Sequence, residues 1–155
     1  MNEQAARDRF AAARVARLAT ADHDGRPHLV PVTFALDSRG PRDSLGPRDS
    51  RGPGGGDSIY IAIDHKPKTT TNLRRLSNIR ENPRVTLLAD HYDEDWRQLW
   101  WVRVDGLARV IEETSQREHP LEVLARKYPQ YRENRPAGPV IVINAERFTG
   151  WDGAR

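Results

Sequence analysis

Apolar residues recur mostly at every second position, in short runs separated by turn-forming residues. This alternation is typical of β-strands with one buried face, and it predicts strands at residues 15–20, 28–36, 58–64, 85–90, 99–111 and 139–148. Pro31 predicts that the second strand is an edge strand or contains a bulge, because proline donates no ladder hydrogen bond. Gly106 predicts a bulge in the long fifth strand.

Helical spacing is confined to three short segments. Asn2 can cap a first helix that runs to about residue 14, and a second is expected at residues 71–80. A third is expected at residues 121–127, with Pro120 in its first turn. Six strands, linked mainly by short turns and accompanied by few helices, favour a mainly β (α+β) fold, an antiparallel barrel with peripheral helices.

Residues 37–54 are a tandem hexapeptide whose three copies begin with Asp-Ser and contain Gly-Pro. Almost none of these residues can join a core, and their charges balance. We expect a disordered, low-complexity expansion of a hairpin loop at 37–57, within a single domain that covers 1–155. A functional tether is the other interpretation.

Composition excludes several classes of function. A net charge of +3, without interleaved basic and aromatic residues, gives no support to nucleic-acid binding. The absence of cysteine excludes disulfides, thiolate catalysis and cysteine-ligated metals. The N-terminal residues lack the apolar core of a signal peptide, and no apolar run is long enough to cross a bilayer, so a cytoplasmic location is expected.

Catalytic and metal-binding residues are not evident from spacing. The five histidines show no paired ligand spacing, and no hydrolase triad, P-loop or dinucleotide motif is present. His91 stands beside Asp93, Glu94 and Asp95, but this run lacks the defined geometry of an oxygen-ligand loop. We therefore interpret it as a solvated turn and predict no metal site.

The placement of lysine is the strongest local signal. Of 25 basic residues only three are lysine, and two of them, Lys66 and Lys68, stand between the strand at 58–64 and the helix at 71–80. Cations, threonine hydroxyls and the N–H groups of a helix start meet there, which suits an anionic ligand. A solvated basic turn is the alternative.

Two adjacent tryptophans form the second signal. Trp100 and Trp101 lie on one predicted strand, so their side chains point to opposite faces. One can join the core, whereas the other needs cover from a helix, a ligand or a second subunit. Burial against a second subunit is one interpretation, and a wall for a flat aromatic cofactor is the other. The two are compatible if the ligand lies at a dimer interface.

The order of several motifs resembles the pyridoxamine phosphate oxidase-like split barrel. They are Arg-Leu-Ala-Thr at 17–20, Gly-Arg-Pro-His-Leu-Val-Pro-Val at 25–32, the strand at 59–64, the junction at 68–75, Asn-Pro-Arg-Val at 82–85 and Asp-Gly-Leu-Ala at 105–108. Asp-Glu-Asp-Trp at 93–96, with Leu-Trp-Trp-Val-Arg at 99–103, is similar to the actinobacterial branch that uses coenzyme F420, a deazaflavin. The resemblance spans nearly the whole chain except the hexapeptide segment.

The resemblance implies a six-stranded antiparallel split barrel that forms a homodimer with cofactor sites at its interface. It also implies an oxidoreductase that transfers a hydride from reduced F420, or less favourably FMN, to a small conjugated or aromatic acceptor. The implied cofactor-binding residues are Pro31, Val32, Thr33, Ile61, Ile63, Lys66, Lys68, Thr69, Thr70, Arg74 and Arg75. The two tryptophans identified above, Trp100 and Trp101, complete the predicted set.

Other interpretations remain open. The chain can be a non-catalytic F420- or FMN-binding carrier, or a haem-binding split barrel in which His65 or His119 ligates iron. If the chain is an enzyme, the proton donor to the acceptor can be solvent, His28 or Tyr92. The sequence does not choose among these three, and it does not identify the acceptor.

Overall fold

The computed structural model describes residues 1–38, 56–63 and 70–154, apart from the side chains of residues 70–73. In these ranges the elements are α1 (Glu3–Ala12), β1 (Ala16–Ala21), β2 (Pro27–Val32), β3 (Ala35–Asp37), β4 (Ser58–Ala62), α2 (Thr70–Glu81), β5 (Arg84–His91), a 3-10 turn (Trp96–Gln98), β6 (Trp100–Ile111), α3 (Thr114–Lys127), α4 (Pro129–Glu133) and β7 (Val140–Asp152). No described helix is long and apolar enough to cross a membrane.

The described strands form one antiparallel sheet in the order β2-β1-β5-β6-β7-β4-β3. Its two edge strands, β2 and β3, are separated along the chain by Thr33 and Phe34 alone. The sheet must therefore curl until its edges nearly meet, which is a barrel with a gap. The mainly β, antiparallel prediction is confirmed, and so is the edge position of Pro31.

The predicted count of six strands is wrong by one, because residues 28–36 form two strands rather than one. The backbone N–H of Phe34 donates to the Tyr128 hydroxyl at 3.1 Å, and the Phe34 carbonyl accepts from that hydroxyl at 2.9 Å. A side chain thus takes both backbone groups out of the ladder, and the chain bends between β2 and β3.

The first helix begins as expected, with the Asn2 side chain accepting from the Ala5 N–H at 2.8 Å. The predicted third helix and its end at Lys127 are confirmed, but its predicted start is wrong, since α3 begins seven residues earlier and holds Pro120 in its interior. The Glu113 carbonyl accepts from the N–H groups of Gln116 and Arg117, which starts the helix upstream. Pro120 is buried. Burial of its ring stabilises the helix, against the loss of the hydrogen bond that proline cannot donate.

The segment between β3 and β4 is shorter than the expected loop at 37–57. Asp37 belongs to β3 and pairs with Ser58, while the buried Asp57 carboxylate accepts from Arg7 Nε at 2.8 Å. Both ends of the segment are therefore held by the sheet and by α1. Residues 39–55, with most of the hexapeptide, lie outside the described part of the chain.

The longest strand pair, β6 and β7, contains the predicted bulge, a register shift between Asp105 and Gly106. A Cβ at Gly106 would lie 2.5 Å from the Asn144 carbonyl oxygen, so the strands approach too closely there for a side chain. Strand β7 ends at Asp152, four residues later than predicted, because β6 offers ladder partners as far as Trp100.

Helix α1 closes one side of the barrel. Its Ala6 and Phe10 are fully buried, and the Phe10 ring stacks on Phe34 with centroids 4.4 Å apart. Lys127 of α3 donates to the Ala13 carbonyl at the end of this helix, at 2.6 Å. The helix is therefore attached to the core by its apolar side and to α3 by its C-terminal end.

Candidate functional site

The first turns of α2 carry positive charge close to the sheet. Arg74 is exposed, whereas only 8% of Arg75 is exposed. Burial lowers the pKa of Arg75, because a charged guanidinium is disfavoured away from water. One turn on, Asn78 donates to the buried Thr20 hydroxyl at 3.1 Å and fixes α2 against β1.

His28 lies on β2 opposite Thr20, close to these arginines. Burial lowers its pKa, and the charges of Arg74 and Arg75 lower it further. The imidazole is therefore neutral at pH 7. Its Nδ1 is buried without a hydrogen-bond partner in the described structure, so it can still bond to a ligand or a water molecule.

The His28 environment gives a testable titration. We expect an NMR titration of the His28 ring to have its midpoint below 6.5, and Arg74→Gln to move the midpoint upward, because it removes one neighbouring cation. A matched control is Arg84→Gln, which removes an exposed charge from the start of β5 and should leave the midpoint in place. A wild-type midpoint at or above 6.5 would contradict the prediction.

The predicted cofactor residues on the strands gather at the gap in the barrel. Val32 ends β2, and Ile61 and Ile63 are buried in and beside β4. Because Ala35 pairs with Tyr60, continuing this antiparallel register places Thr33 next to Ala62. The Thr33 hydroxyl is within 3.0 Å of the Tyr131 hydroxyl, whereas Pro31 is exposed at the edge.

The predicted phosphate site is only partly within the described residues. Lys66, Lys68 and Thr69 lie outside the described residues, and so does His65. Thr70 is the first residue of α2, and its side chain is not described. The roles assigned to these residues remain predictions.

One side of the sheet, which we call the outer face, is uncovered in the single chain. Directly paired residues point to the same side of a sheet. By this rule the outer face runs from β2 to β7 through Leu29, Arg17, Ala19, Thr86, Leu88, Asp90, Trp101, Arg103, Asp105, Thr149 and Trp151. Leu29 is 66% exposed and Trp151 is 46% exposed, which is unusual for large apolar side chains.

Trp100 and Trp101 point to opposite sides of β6, as predicted. Trp100 packs partly against the core, whereas Trp101 lies on the outer face beside Trp151. An open cavity of about 490 Å³ lies around them, lined by Leu88, Asp90, His91, Tyr92, Leu99, Trp100, Trp101, Arg103 and Trp151. Its walls are mainly aromatic, so it can accept a flat apolar group.

The structure does not bring these tryptophans to the arginines of α2 within one chain. His28 pairs with Thr20, and the neighbouring Ala19 pairs with Thr86 near the start of β5. Trp100 pairs with His91, at the end of β5. Five residues along β5 correspond to about 17 Å. The predicted cofactor residues therefore fall into two groups that are separated along the sheet. Thr20 and His28, beside α2, point away from the outer face, because they alternate with Ala19 and Leu29.

The His119 side chain is already bonded. Its Nε2 lies 2.7 Å from an Asp37 carboxylate oxygen, to which the Tyr60 hydroxyl donates at 3.0 Å. Burial raises the pKa of Tyr60, and the Asp37 charge raises it further, so Tyr60 stays protonated. This cluster attaches α3 to the β3–β4 hairpin and leaves only Nδ1 of His119 for any metal.

No group of three metal-ligating side chains occurs among residues 1–38, 56–63 and 70–154. His91 lies 3.7 Å from Asp93, which fits an exposed turn. Sequence reasoning missed a contact on the other side of Trp100, where the Arg9 guanidinium lies 5.0 Å from the ring centroid. These two residues are 91 positions apart, so no local pattern signals their contact.

Comparison with known proteins gives a family and a fold. The family described as pyridoxamine 5'-phosphate oxidase matches residues 3–152. A conserved hypothetical protein from Mycobacterium tuberculosis has 22% identity and a TM-score of 0.67, covering 99% of this chain and 86% of its own. An FAD-binding protein from Mesorhizobium loti has 21% identity and a TM-score of 0.64, covering 97% and 94%.

The haem storage protein HutZ from Vibrio cholerae has a TM-score of 0.64 at 15% identity, covering 98% of this chain and 95% of its own. At these identities the similarity shows a shared fold alone. No curated protein matches the sequence.

Proposed function

Because the chain belongs to the pyridoxamine 5'-phosphate oxidase family, we propose that it is an oxidoreductase that binds coenzyme F420 at a homodimer interface. Reduced deazaflavin would supply a hydride to a small conjugated or aromatic acceptor. The protein would bind and orient both molecules and exclude water. The proposal includes a single domain, with residues 39–55 as an insertion in the β3–β4 hairpin.

The observation that carries this proposal is the positive charge at the start of α2. Arg75 is kept largely out of water there, and Arg74 and the unpartnered Nδ1 of His28 lie close by. Helix N–H groups and two nearby lysines in the sequence add to the same field. This donor set fits a phosphodiester, and the second lysine favours a cofactor with an additional acidic tail over FMN.

The outer face supports the homodimer. Leu29, Leu88, Trp101 and Trp151 are its large apolar residues. Four of its charges are paired, Arg17 with Asp90 at 3.0 Å and Arg103 with Asp105 at 3.3 Å. We propose that two copies pack around a twofold axis through this face, with the tryptophans of one copy and the α2 start of the other at each cofactor site. In this arrangement both groups of predicted residues line each cofactor site.

We expect Lys68→Ala to weaken F420 binding by about 1.5–3 kcal/mol, the scale of a hydrogen bond to a charged group. Isothermal titration of F420 and of FMN into the same protein measures both the loss and the cofactor preference. The control is Arg26→Ala, which removes an exposed cation from the β1–β2 turn. Unchanged F420 affinity in Lys68→Ala would refute the phosphate role, provided that its melting temperature is that of the wild type.

We expect the wild type to be a dimer by light scattering and Leu88→Arg to be a monomer, because the substitution places a cation between Arg17 and Arg103. The control is Val15→Arg, at a residue that is 41% exposed just before β1. A wild-type monomer at micromolar concentration would contradict the proposed interface.

The second candidate is a carrier without turnover, of flavin or of haem. It is favoured by the fold shared with an FAD-binding protein and with a haem storage protein. Bound deazaflavin, flavin and haem have distinct absorption spectra, so titration with each identifies the ligand. Oxidation of bound, reduced F420 by an added acceptor then separates an enzyme from a carrier.

A further inference from the structure

A second cavity lies on the other side of Trp100, between α1, the 3-10 turn and the end of β7. Its volume is about 460 Å³, and it is lined by Arg9, His91, Arg97, Gln98, Leu99, Trp100, Asp152 and Ala154. None of the arguments for the proposed cofactor site uses this cavity, which we call the Arg9 cleft. Its chemistry can therefore be considered separately.

Arg9 is the cation in this cleft whose charge is not neutralised. It has no ion pair or hydrogen bond among the described residues, and its guanidinium lies over the Trp100 ring at 5.0 Å. By contrast, Arg97 donates twice to Asp95, at 2.9 Å each. The N–H donors of Arg9 are therefore available to an anion.

Flat aromatic surface accompanies this cation. The rings of His91 and Trp100 are nearly parallel, at 24°, with centroids 6.3 Å apart. Trp100 is partly buried against the core, which limits its motion and makes it a fixed wall. A planar ring that enters the cleft can stack on this wall while its substituent reaches Arg9.

From these contacts we infer that the Arg9 cleft binds a planar aromatic carboxylate. A neutral aromatic compound leaves the Arg9 donors unused, and an aliphatic anion leaves the aromatic wall unused. Asp152 lines the same cleft, with one carboxylate oxygen accepting from the Ala154 N–H at 3.2 Å. Its charge repels a second negative group, so the site favours a monoanion.

The inference does not depend on F420 binding, because the residues that line the Arg9 cleft belong to one chain and only Trp100 is also a predicted cofactor residue. The test is isothermal titration of cofactor-free protein with 2-naphthoate and with its uncharged analogue 2-naphthamide. We expect 2-naphthoate to bind at least tenfold more tightly. Raising the salt from about 0.05 to 0.5 M should weaken 2-naphthoate binding alone. Equal affinity for the two compounds would overturn the inference.

Variants assign the binding to this cleft. Arg9→Gln should reduce 2-naphthoate affinity to that of 2-naphthamide, whereas Arg26→Gln, on the β1–β2 turn, should leave it unchanged. Asp152→Asn keeps the acceptor for Ala154 and removes a repelling charge, so it should tighten 2-naphthoate binding two- to threefold. Wild-type affinity in Arg9→Gln, or weaker binding in Asp152→Asn, would show that the anion binds elsewhere.

Discussion

Phe10→Ala is expected to lower the free energy of unfolding by about 3–5 kcal/mol, the range for removing a fully buried phenylalanine. The Phe10 ring is 0% exposed, stacks on Phe34 and meets the edge of Phe148 at 6.2 Å. Its neighbours belong to the gap and to β7, so the cavity cannot collapse without moving the sheet. Urea unfolding followed by tryptophan fluorescence measures the change.

The control for this substitution is Val15→Ala, because Val15 is exposed. It should cost less than about 1 kcal/mol. If Phe10→Ala were equally mild, α1 would not be part of the barrel core.

Gly106→Ala is expected to lower the free energy of unfolding by about 3 kcal/mol. The new Cβ would lie 2.5 Å from the Asn144 carbonyl oxygen and 2.9 Å from Ile143 Cγ2. Relief requires movement of the β7 backbone, because the nearest atom belongs to the main chain, and overpacking of this kind is costly. Thermal and urea unfolding measure the loss.

Gly25→Ala provides a contrast to this substitution. Its Cβ would meet nothing within 4 Å, but its φ is +81°, so only conformational strain of about 1 kcal/mol is expected. A larger loss at Gly25 than at Gly106 would show that backbone strain, and not strand contact, limits this fold.

The parts of the fold that local chemistry determines could be predicted from the sequence. Asn2 caps α1, Pro31 lies on an edge strand and Gly106 marks a bulge, because each effect depends on one residue and its immediate backbone. The break after β2 could not be predicted. It is made by the hydroxyl of Tyr128, which is 94 positions from Phe34.

Two other elements depended on tertiary structure. Pro120 indicated a helix start, but burial of its ring outweighs the local preference. Strand β7 continues to Asp152 only because β6 is available as a partner.

The candidate site shows the same division. The sequence identified the cations near α2, because lysine is rare in this chain and stands beside a helix start. It also predicted that Trp100 and Trp101 face opposite sides. It could not show that they lie at the far end of the sheet from Arg75, since this distance depends on strand register. The contact of Arg9 with Trp100 joins α1 to β6 and has no sequence signature.

The Tyr128 hydroxyl has a consequence for how the barrel opens. Paired strands resist separation because many backbone hydrogen bonds join them. At Phe34, by contrast, a single phenolic oxygen bonds to both backbone groups. The gap is therefore bridged by a tyrosine that lies between α3 and α4, and its hydrogen bonds can break without breaking any strand pair. Motion of α3 and α4 would widen the gap beside Thr33. Slow local opening of this fold should therefore begin at the gap between β2 and β3, while the central strands stay paired.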